Sequence, residues 1–130
     1  MRMWMIDPKL LCRKHLLGEH NEIHKFKHIF EKRYSIDRRI NPIVQIVPAL
    51  MESRHNELVE EMLRIGYNHN SPYELPDLSH LPENYLNPEI DLENNLLDLA
   101  KRCPSCRINI RKIYPKLFKT RQMVGFYPAK

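Results

Sequence analysis

The chain has 130 residues, of which 42% are hydrophobic and 28% charged, and its formal net charge is +5. This length predicts one domain, residues 1–130, that buries well over half of its surface and needs neither a metal nor a disulfide to fold. The longest apolar stretch, residues 43–51, is interrupted by Gln45 and Pro48, which excludes a transmembrane helix. Three cysteines do not make a disulfide framework and no long apolar run follows the first residues. We therefore expect no secretory signal and a reducing cytoplasm.

Charged residues form three blocks of alternating sign. Residues 1–40 hold ten Lys/Arg against five Asp/Glu, residues 41–100 hold two against eleven, and residues 101–130 hold nine against none. If the two basic ends fold together, they form one positive face that would bind a polyanion such as a nucleic acid in one orientation. The alternative is a solvated basic tail that has no specific partner.

Helix starts are predicted by three dipeptides of Asp or Asn followed by proline: Asp7-Pro8, Asn41-Pro42 and Asn87-Pro88. Asp and Asn are good N-caps, and proline suits the first helical position. The first helix should run from about residue 8 to about residue 32. The second should begin at residue 42, bend or restart at Pro48 and end near Gly66, and the third should cover about residues 88 to 102.

Residues 68–87 form a proline-rich connector that is too long for a plain turn. Its apolar side chains predict that it packs along the body: Tyr73, Leu75, Leu78, Leu81 and Tyr85. The tail, residues 106–130, is basic and aromatic, and the sequence does not predict its structure. Because glycine is scarce and no segment alternates with period 2, we predict an all-α, compact single domain of about three main helices with this connector and a basic C-terminal tail.

The first helix carries polar residues on its core-facing side. A helical wheel places five residues on one apolar stripe: Leu11, Cys12, Phe26, Ile29 and Phe30. His15, Glu19 and Glu22 fall on the same side, where they would be costly unless they are paired or face a cleft. This patch is therefore a candidate functional site, and the alternative is a buried structural network with arginines from elsewhere.

The remaining histidines of this helix, His20, His24 and His28, fall on the opposite side among cations, which favours a solvated basic face. Histidines at i and i+4 together with Cys103-Pro-Ser-Cys106 suggest a zinc site. Only one CxxC motif is present, however, and those histidines lie among positive charges, so we predict no metal site and no cofactor. No βαβ pattern supports a redox role for the CxxC.

Three segments together resemble the pyrimidine-dimer DNA glycosylase/AP lyase family of the phage endonuclease V type. The first is Met1-Arg2 followed by His15-Leu-Leu-Gly-Glu19-His-Asn-Glu22. The second runs from Arg54-His-Asn-Glu57 to Gly66-Tyr-Asn68, and the third is the connector stretch at residues 76–85. The first segment is the specific one, because the second is compatible with any amphipathic helix. The resemblance implies an all-α domain whose N-terminal segment is threaded into the body.

The resemblance also implies the catalytic residues. Members of the family use the α-amino group of the first residue as nucleophile and a helix glutamate as its partner, and these positions match Met1 and Glu22. An α-amine titrates near ~8 and a lysine near ~10.4, so more of the α-amine is neutral and able to attack the sugar C1′. Because Arg2 is bulky, we expect Met1 to be retained.

DNA-binding residues follow from the same resemblance. Arg2 and His15 match the family's basic residue and helix histidine, and Glu19 matches its second, supporting glutamate. Lys25 stands where the phage enzyme has arginine, and Asn21 replaces another arginine, so one DNA contact is expected to be lost.

The C-terminal region departs from the family, which has an aromatic-rich segment there. Basic residues are available to bind phosphates, namely Arg107, Arg111 and Lys112, followed by Lys116, Lys119 and Arg121. Tyr114, Phe118 or Phe126 would wedge or stack between bases. DNA binding is therefore predicted more firmly than pyrimidine-dimer specificity, and an abasic site or another damaged base remains a possible substrate.

The sequence thus predicts a DNA repair glycosylase with AP-lyase activity. It would act as a monomer on double-stranded DNA that contains a lesion or abasic site, without a membrane partner, in the cytoplasm and associated with the nucleoid. One alternative is a non-catalytic DNA-binding helical module. Another is a metal-dependent helical protein that uses His15, Glu19 and Glu22, or a zinc site at Cys103 and Cys106.

Overall fold

A computed structural model describes residues 2–69 and 71–119. Six α-helices lie in this part of the chain: α1 (Arg13–Glu31), α2 (Asp37–Ile40), α3 (Met51–Arg64), α4 (Glu83–Leu86), α5 (Leu92–Arg102) and α6 (Pro104–Ile113). Three short 3₁₀ helices cover Pro8–Leu10, Pro48–Leu50 and Pro115–Lys119. The described residues contain no strand, which confirms the all-α prediction. No described helix combines the length and the apolar character needed to cross a bilayer.

The first helix begins later than Asp7-Pro8 predicts. The Asp7 side chain accepts a hydrogen bond from the Lys9 N–H, which caps a 3₁₀ turn that ends at Leu10. Leu11 and Cys12 are then extended, and the Cys12 N–H donates to the Cys106 Sγ atom instead of continuing the helix. The α-helix therefore starts only at Arg13 and ends at Glu31, close to the predicted end.

The helix start predicted at Asn41-Pro42 is wrong. Asn41 is extended, and the chain stays non-helical until Pro48. The physical reason is a tertiary pairing: the Gln45 N–H donates to the Arg39 carbonyl, and the Gln45 carbonyl accepts from the Met3 N–H. The predicted restart at Pro48 is confirmed by a 3₁₀ turn that leads directly into α3.

Helix ends are predicted better than helix starts. Gly66 follows α3 with a φ of 99°, the left-handed conformation that favours glycine after a helix. The start predicted at Asn87-Pro88 is wrong, because α5 begins at Leu92, where the Asp91 side chain caps the Asn94 N–H. As predicted, α5 stops before Pro104, and α6 follows at once.

The core joins the predicted helical stripe to the N-terminal segment and the connector. Leu16, Ile23, Phe26 and Phe30 of α1 are buried, and α1 packs against α3. In the connector, Tyr73 and Leu78 are buried and Leu81 and Tyr85 pack against the core, as predicted. The prediction is wrong for Leu75, which is 37% exposed.

The N-terminal segment runs through the body of the protein. Met3 is fully buried, and its N–H donates to the Gln45 carbonyl at 2.8 Å. On the other side, the Asn95 side chain of α5 donates to the Trp4 carbonyl at 2.8 Å. These two hydrogen bonds fix the path of the segment and place Arg2 beside α5.

Candidate active site

A cleft of about 410 Å³ opens between the N-terminal segment, α1 and the end of α5. Polar and charged side chains dominate its lining, which consists of Arg2, Trp4, His15, Gly18, Glu19, Glu22, Gln45 and Arg102. The structure therefore brings together the polar patch of α1 and the basic residue of the N-terminal segment, which the sequence placed in one site.

Glu22 has an unsatisfied oxygen in this cleft. Its Oε2 atom is buried and accepts no hydrogen bond from the described residues. Its Oε1 atom lies 4.0 Å from the Nζ atom of Lys25, a side chain that is 65% exposed. A buried carboxylate oxygen without a donor is unfavourable for stability, and such groups are typical of functional sites. Glu22 is thus available to accept a proton or to stabilise a positive charge in the cleft.

Arg2 is held at the edge of the cleft by two contacts. Its Nη1 atom donates to the Asp98 Oδ2 atom at 2.8 Å, and its guanidinium lies 4.7 Å from the centre of the Trp4 ring. The other Asp98 oxygen accepts from Arg102 Nε at 3.1 Å. One carboxylate of α5 therefore orients two arginines that line the cleft, where they are suited to bind phosphates.

Both carboxylate oxygens of Glu19 are hydrogen-bonded, unlike those of Glu22. Arg54 of α3 donates to its two carboxylate oxygens at 2.6 and 3.0 Å, and both side chains are almost completely buried. Burial alone would lower the pKa of Arg54, but the hydrogen bonds and charges of Glu19 and Glu57 raise it above its ordinary value. The buried network that was the alternative to a functional site thus forms at Glu19, with Arg54 as an arginine partner that the sequence did not identify.

His15 lies between the cleft and a group of thiols. Its Nδ1 atom is 3.3 Å from Cys12 Sγ and 3.5 Å from Cys106 Sγ, and its ring meets the Trp4 ring edge-on. Burial lowers the pKa of His15, and the charges of Lys14 and Arg102 lower it further. A neutral imidazole therefore lies at the cleft near neutral pH.

The other predicted DNA-binding residues do not line the cleft. Asn21 and Lys25 are exposed on α1, and Arg111 and Lys112 are exposed at the end of α6. Arg107 differs from these, because its guanidinium donates to the Ala100 and Lys101 carbonyls at 2.5 and 3.0 Å and so caps the end of α5. The roles of these five residues in DNA binding stay predictions.

The predicted solvated face at His20 and His24 is wrong. His20 is only 7% exposed, and its Nε2 atom lies 2.9 Å from His69 Nε2. His24 Nε2 lies 3.1 Å from His55 Nε2, so four imidazoles from α1, α3 and the connector form one cluster. His28 is exposed, as predicted. No local sequence pattern indicates this cluster, because His55 and His69 are distant from α1 in the chain.

The zinc hypothesis required His20 and His24 to lie next to Cys103 and Cys106, and the structure does not bring these two pairs together. Cys103 and Cys106 lie against Cys12 and His15, not against His20 and His24. The donor atoms within each of these two clusters lie within 4.8 Å of one another. The signal that the sequence analysis did not use was Cys12 and His15, spaced i and i+3 at the start of α1.

Some predicted residues lie outside the part of the chain that the structure describes. These are Met1, Arg121, Phe126 and the side chains of Phe118 and Lys119. Their proposed roles as nucleophile, phosphate contacts and stacking residues stay predictions.

Comparison with known proteins identifies the family. The family model for pyrimidine dimer DNA glycosylase matches residues 1–75, which is more than half of the chain. Searches of curated proteins and of solved structures gave no match. The matched region contains α1, α3 and most of the residues that line the cleft, including Arg2 and Glu22. The chain therefore belongs to the pyrimidine dimer DNA glycosylase family, which acts on DNA.

Proposed function

We propose that this protein removes a damaged base through a Schiff base on the α-amine of Met1 and then nicks the strand by β-elimination, with Glu22 as the proton-transfer group. The observation that carries the proposal is the buried, unpaired Glu22 Oε2 atom in a cleft that Arg2 also lines. Arg2, which lines the cleft, is covalently bonded to the residue that carries the proposed nucleophile.

The chemistry balances with these groups alone. The neutral amine attacks C1′, the C1′–N bond to the base breaks, and the departing base takes the electron pair and a proton. Opening of the sugar ring then gives an imine between C1′ and the amine. A proton-accepting group then removes a C2′ proton, and the 3′-phosphate leaves by β-elimination. Water finally hydrolyses the imine and releases the sugar from the amine. Glu22 is the group available to receive and return these protons and to stabilise positive charge on the sugar.

The arginines of the cleft support DNA binding at the same place. Arg2 and Arg102 are both oriented by Asp98, and both line the cleft near Glu22. A phosphate bound by these guanidinium groups would hold the target sugar next to the carboxylate. The target nucleotide or its partner has to leave the helical stack to reach the cleft.

Several finer properties go with this proposal. The substrate is double-stranded DNA with a pyrimidine dimer, a related lesion or an abasic site, and the protein acts on it as a monomer associated with the nucleoid. An enzyme specific for pyrimidine dimers would cleave DNA that contains such a dimer. A lyase that cannot remove the base would cleave only at an abasic site.

Borohydride trapping on a panel of duplexes tests the proposal. The duplexes carry a pyrimidine dimer, an abasic site, an oxidised base or uracil, and borohydride reduces the imine to a stable amine. Digestion before Asp7 releases residues 1–6, a peptide without lysine, so an adduct on that peptide assigns the α-amine. An adduct on a lysine-containing peptide would contradict the N-terminal mechanism. Binding without cleavage or trapping would instead identify a non-catalytic DNA-binding protein.

A further inference from the structure

Three thiols and one imidazole converge from two regions of the chain that are about ninety residues apart. Cys12 and His15 lie at the start of α1, and Cys103 and Cys106 lie at the junction of α5 and α6. Cys12 Sγ is 3.8 Å from Cys103 Sγ and 3.3 Å from His15 Nδ1, and Cys106 Sγ is 3.5 Å from the same nitrogen. We propose that these four side chains bind one Zn²⁺ ion in a closed structural site.

These separations match the edges of a zinc tetrahedron. With Zn–S bonds of about 2.3 Å and Zn–N bonds of about 2.0–2.1 Å, tetrahedral geometry separates two sulfurs by roughly 3.8 Å and a sulfur from a nitrogen by roughly 3.5 Å. Three of the six distances between donor atoms, 3.8, 3.3 and 3.5 Å, agree with these values, and all six are within 4.8 Å. Three thiolates and one histidine are also a common ligand set of structural zinc sites.

Backbone N–H groups around the sulfurs favour their thiolate form. The Cys12 N–H donates to Cys106 Sγ at 3.2 Å, and the Cys106 N–H donates to Cys103 Sγ at 3.4 Å. Cys103 is the N-cap of α6, where the positive end of the helix dipole stabilises an anion. Such N–H donors form the outer shell that orients and stabilises metal-bound thiolates.

The local charge fits a metal complex as well. Three thiolates and Zn²⁺ carry a net charge of about −1. Lys14 directly precedes the proposed ligand His15, and Arg102 directly precedes the proposed ligand Cys103. These two cations would therefore compensate the negative charge of a thiolate site.

The geometry favours a single ion over other uses of three cysteines. All four donor atoms lie within 4.8 Å of one another, whereas an iron–sulfur cluster would hold its ligands apart by its own width. A disulfide would use two thiols at a bond length of about 2.05 Å and leave the third thiol and the imidazole unused. All three cysteines are free thiols.

A zinc ion here would fix one wall of the cleft. It would join the start of α1 to the α5–α6 junction, next to Arg102, which precedes Cys103 and lines the cleft. The role of the metal would be structural and not catalytic, because four protein ligands leave no open position for substrate or water. The proposal is thus independent of the Schiff-base mechanism, which can fail without affecting it.

Metal analysis of the full-length wild-type protein, purified without added metal, is the first test. We expect one zinc per chain, and release of that zinc when the thiols are blocked by a mercurial reagent. Replacement by Co²⁺ should give the visible bands of tetrahedral Co²⁺ together with a near-ultraviolet sulfur-to-metal charge-transfer band. A protein that holds no zinc and gives no such band with Co²⁺, or that holds iron and sulfide, would overturn the proposal.

Variants separate this site from the four-histidine cluster. Cys103→Ser and His15→Asn should each lose the bound zinc, whereas His28→Asn, on the exposed side of α1, should keep it. Replacement of His20 and His69 together removes half of the histidine cluster and should leave the charge-transfer band unchanged. Loss of zinc from that double variant, with retention in Cys103→Ser, would overturn the assignment to the thiols. Because the wild-type spectrum reports the ligands directly, a variant that fails to fold does not decide the outcome.

Discussion

The Arg54 guanidinium and the Glu19 carboxylate form a doubly hydrogen-bonded ion pair that joins α3 to α1 in the interior of the protein. The two N···O distances are 2.6 and 3.0 Å, and the side chains are 1% and 0% exposed. Glu19 lines the cleft three residues before Glu22, so this pair fixes the part of α1 that presents the proposed catalytic carboxylate.

Arg54→Met should destabilise the protein by about 3–5 kcal/mol, because it leaves the buried Glu19 carboxylate without a partner. Urea denaturation measures the change. The double variant Arg54→Met/Glu19→Leu should recover much of the loss, since apolar residues often replace a buried pair at little cost. The control is Arg38→Met, which removes an exposed arginine of α2 and should change little. Equal effects of the two single variants would contradict the importance of burial.

Glu22→Gln should lower the rate of strand cleavage at an abasic site by about 10²–10⁴-fold while DNA affinity changes little. The amide keeps the size of the side chain but cannot accept the C2′ proton. Single-turnover cleavage and a binding titration measure the two effects separately. Glu31→Gln, an exposed glutamate at the end of the same helix, is the matched control. An unchanged cleavage rate in Glu22→Gln would exclude this carboxylate from the chemistry.

Local patterns in the sequence predicted the core of α1 because helical periodicity depends only on neighbouring residues. Leu11, Phe26 and Phe30 are buried as the wheel indicates. The same wheel placed Glu19 and Glu22 on one face, but it could not tell which of them would be paired. That difference depends on Arg54, which comes from a helix whose packing against α1 the sequence did not show.

Long-range contacts account for the remaining errors. The Asn41-Pro42 signal for a helix start was overridden because Gln45 pairs with Met3 and Arg39. The cluster of three cysteines and His15 was missed for a similar reason. Cys12 and Cys103 are 91 residues apart in the sequence, and a single CxxC motif carries no information about its distant partners. The histidine cluster likewise requires α1, α3 and the connector to meet.

Asp98→Asn should reduce cleavage by about 10-fold or more through loss of positioning, because Asp98 orients both Arg2 and Arg102. We expect the defect chiefly in the single-turnover rate at saturating protein, since the two positive charges remain and continue to attract DNA. Glu93→Gln, an exposed residue of the same helix, is the control and should behave as wild type. A defect confined to affinity would show that Asp98 does not act through the geometry of the arginines.

Lys112→Ala should weaken DNA binding about equally for all sequences and reduce the slope of log K against log salt by about 1, if α6 contacts phosphates. Lys9→Ala is the matched control, because Lys9 lies beside the acidic residues Glu57, Glu60 and Glu61, which disfavour a phosphate there. Affinity measured from low to moderate salt gives both slopes. The same slope for Lys112→Ala and wild type would remove α6 from the DNA interface.

Acidic pH should destabilise the protein through the histidine cluster. Burial, followed by the charges of His24, His55 and His69, lowers the pKa of His20 from 6.5 to about 4. Between these two values the unfolded chain binds a proton that the folded chain does not. The free energy of unfolding should therefore fall as the pH decreases from 6.5 to 4, by about 1–3 kcal/mol for this group.

Urea denaturation across this pH range, in buffer that contains a chelator, measures the slope. His20→Gln removes the buried titrating group and should flatten the dependence, whereas His28→Gln replaces an exposed histidine of the same helix and should leave it unchanged. The direction follows from burial of the neutral imidazole, since a histidine stabilised in its charged form would make the protein more stable as the pH falls. Stability that rises toward pH 4 would mean that the cluster is protonated in the folded state, and the four rings would then have to separate to accommodate their charges.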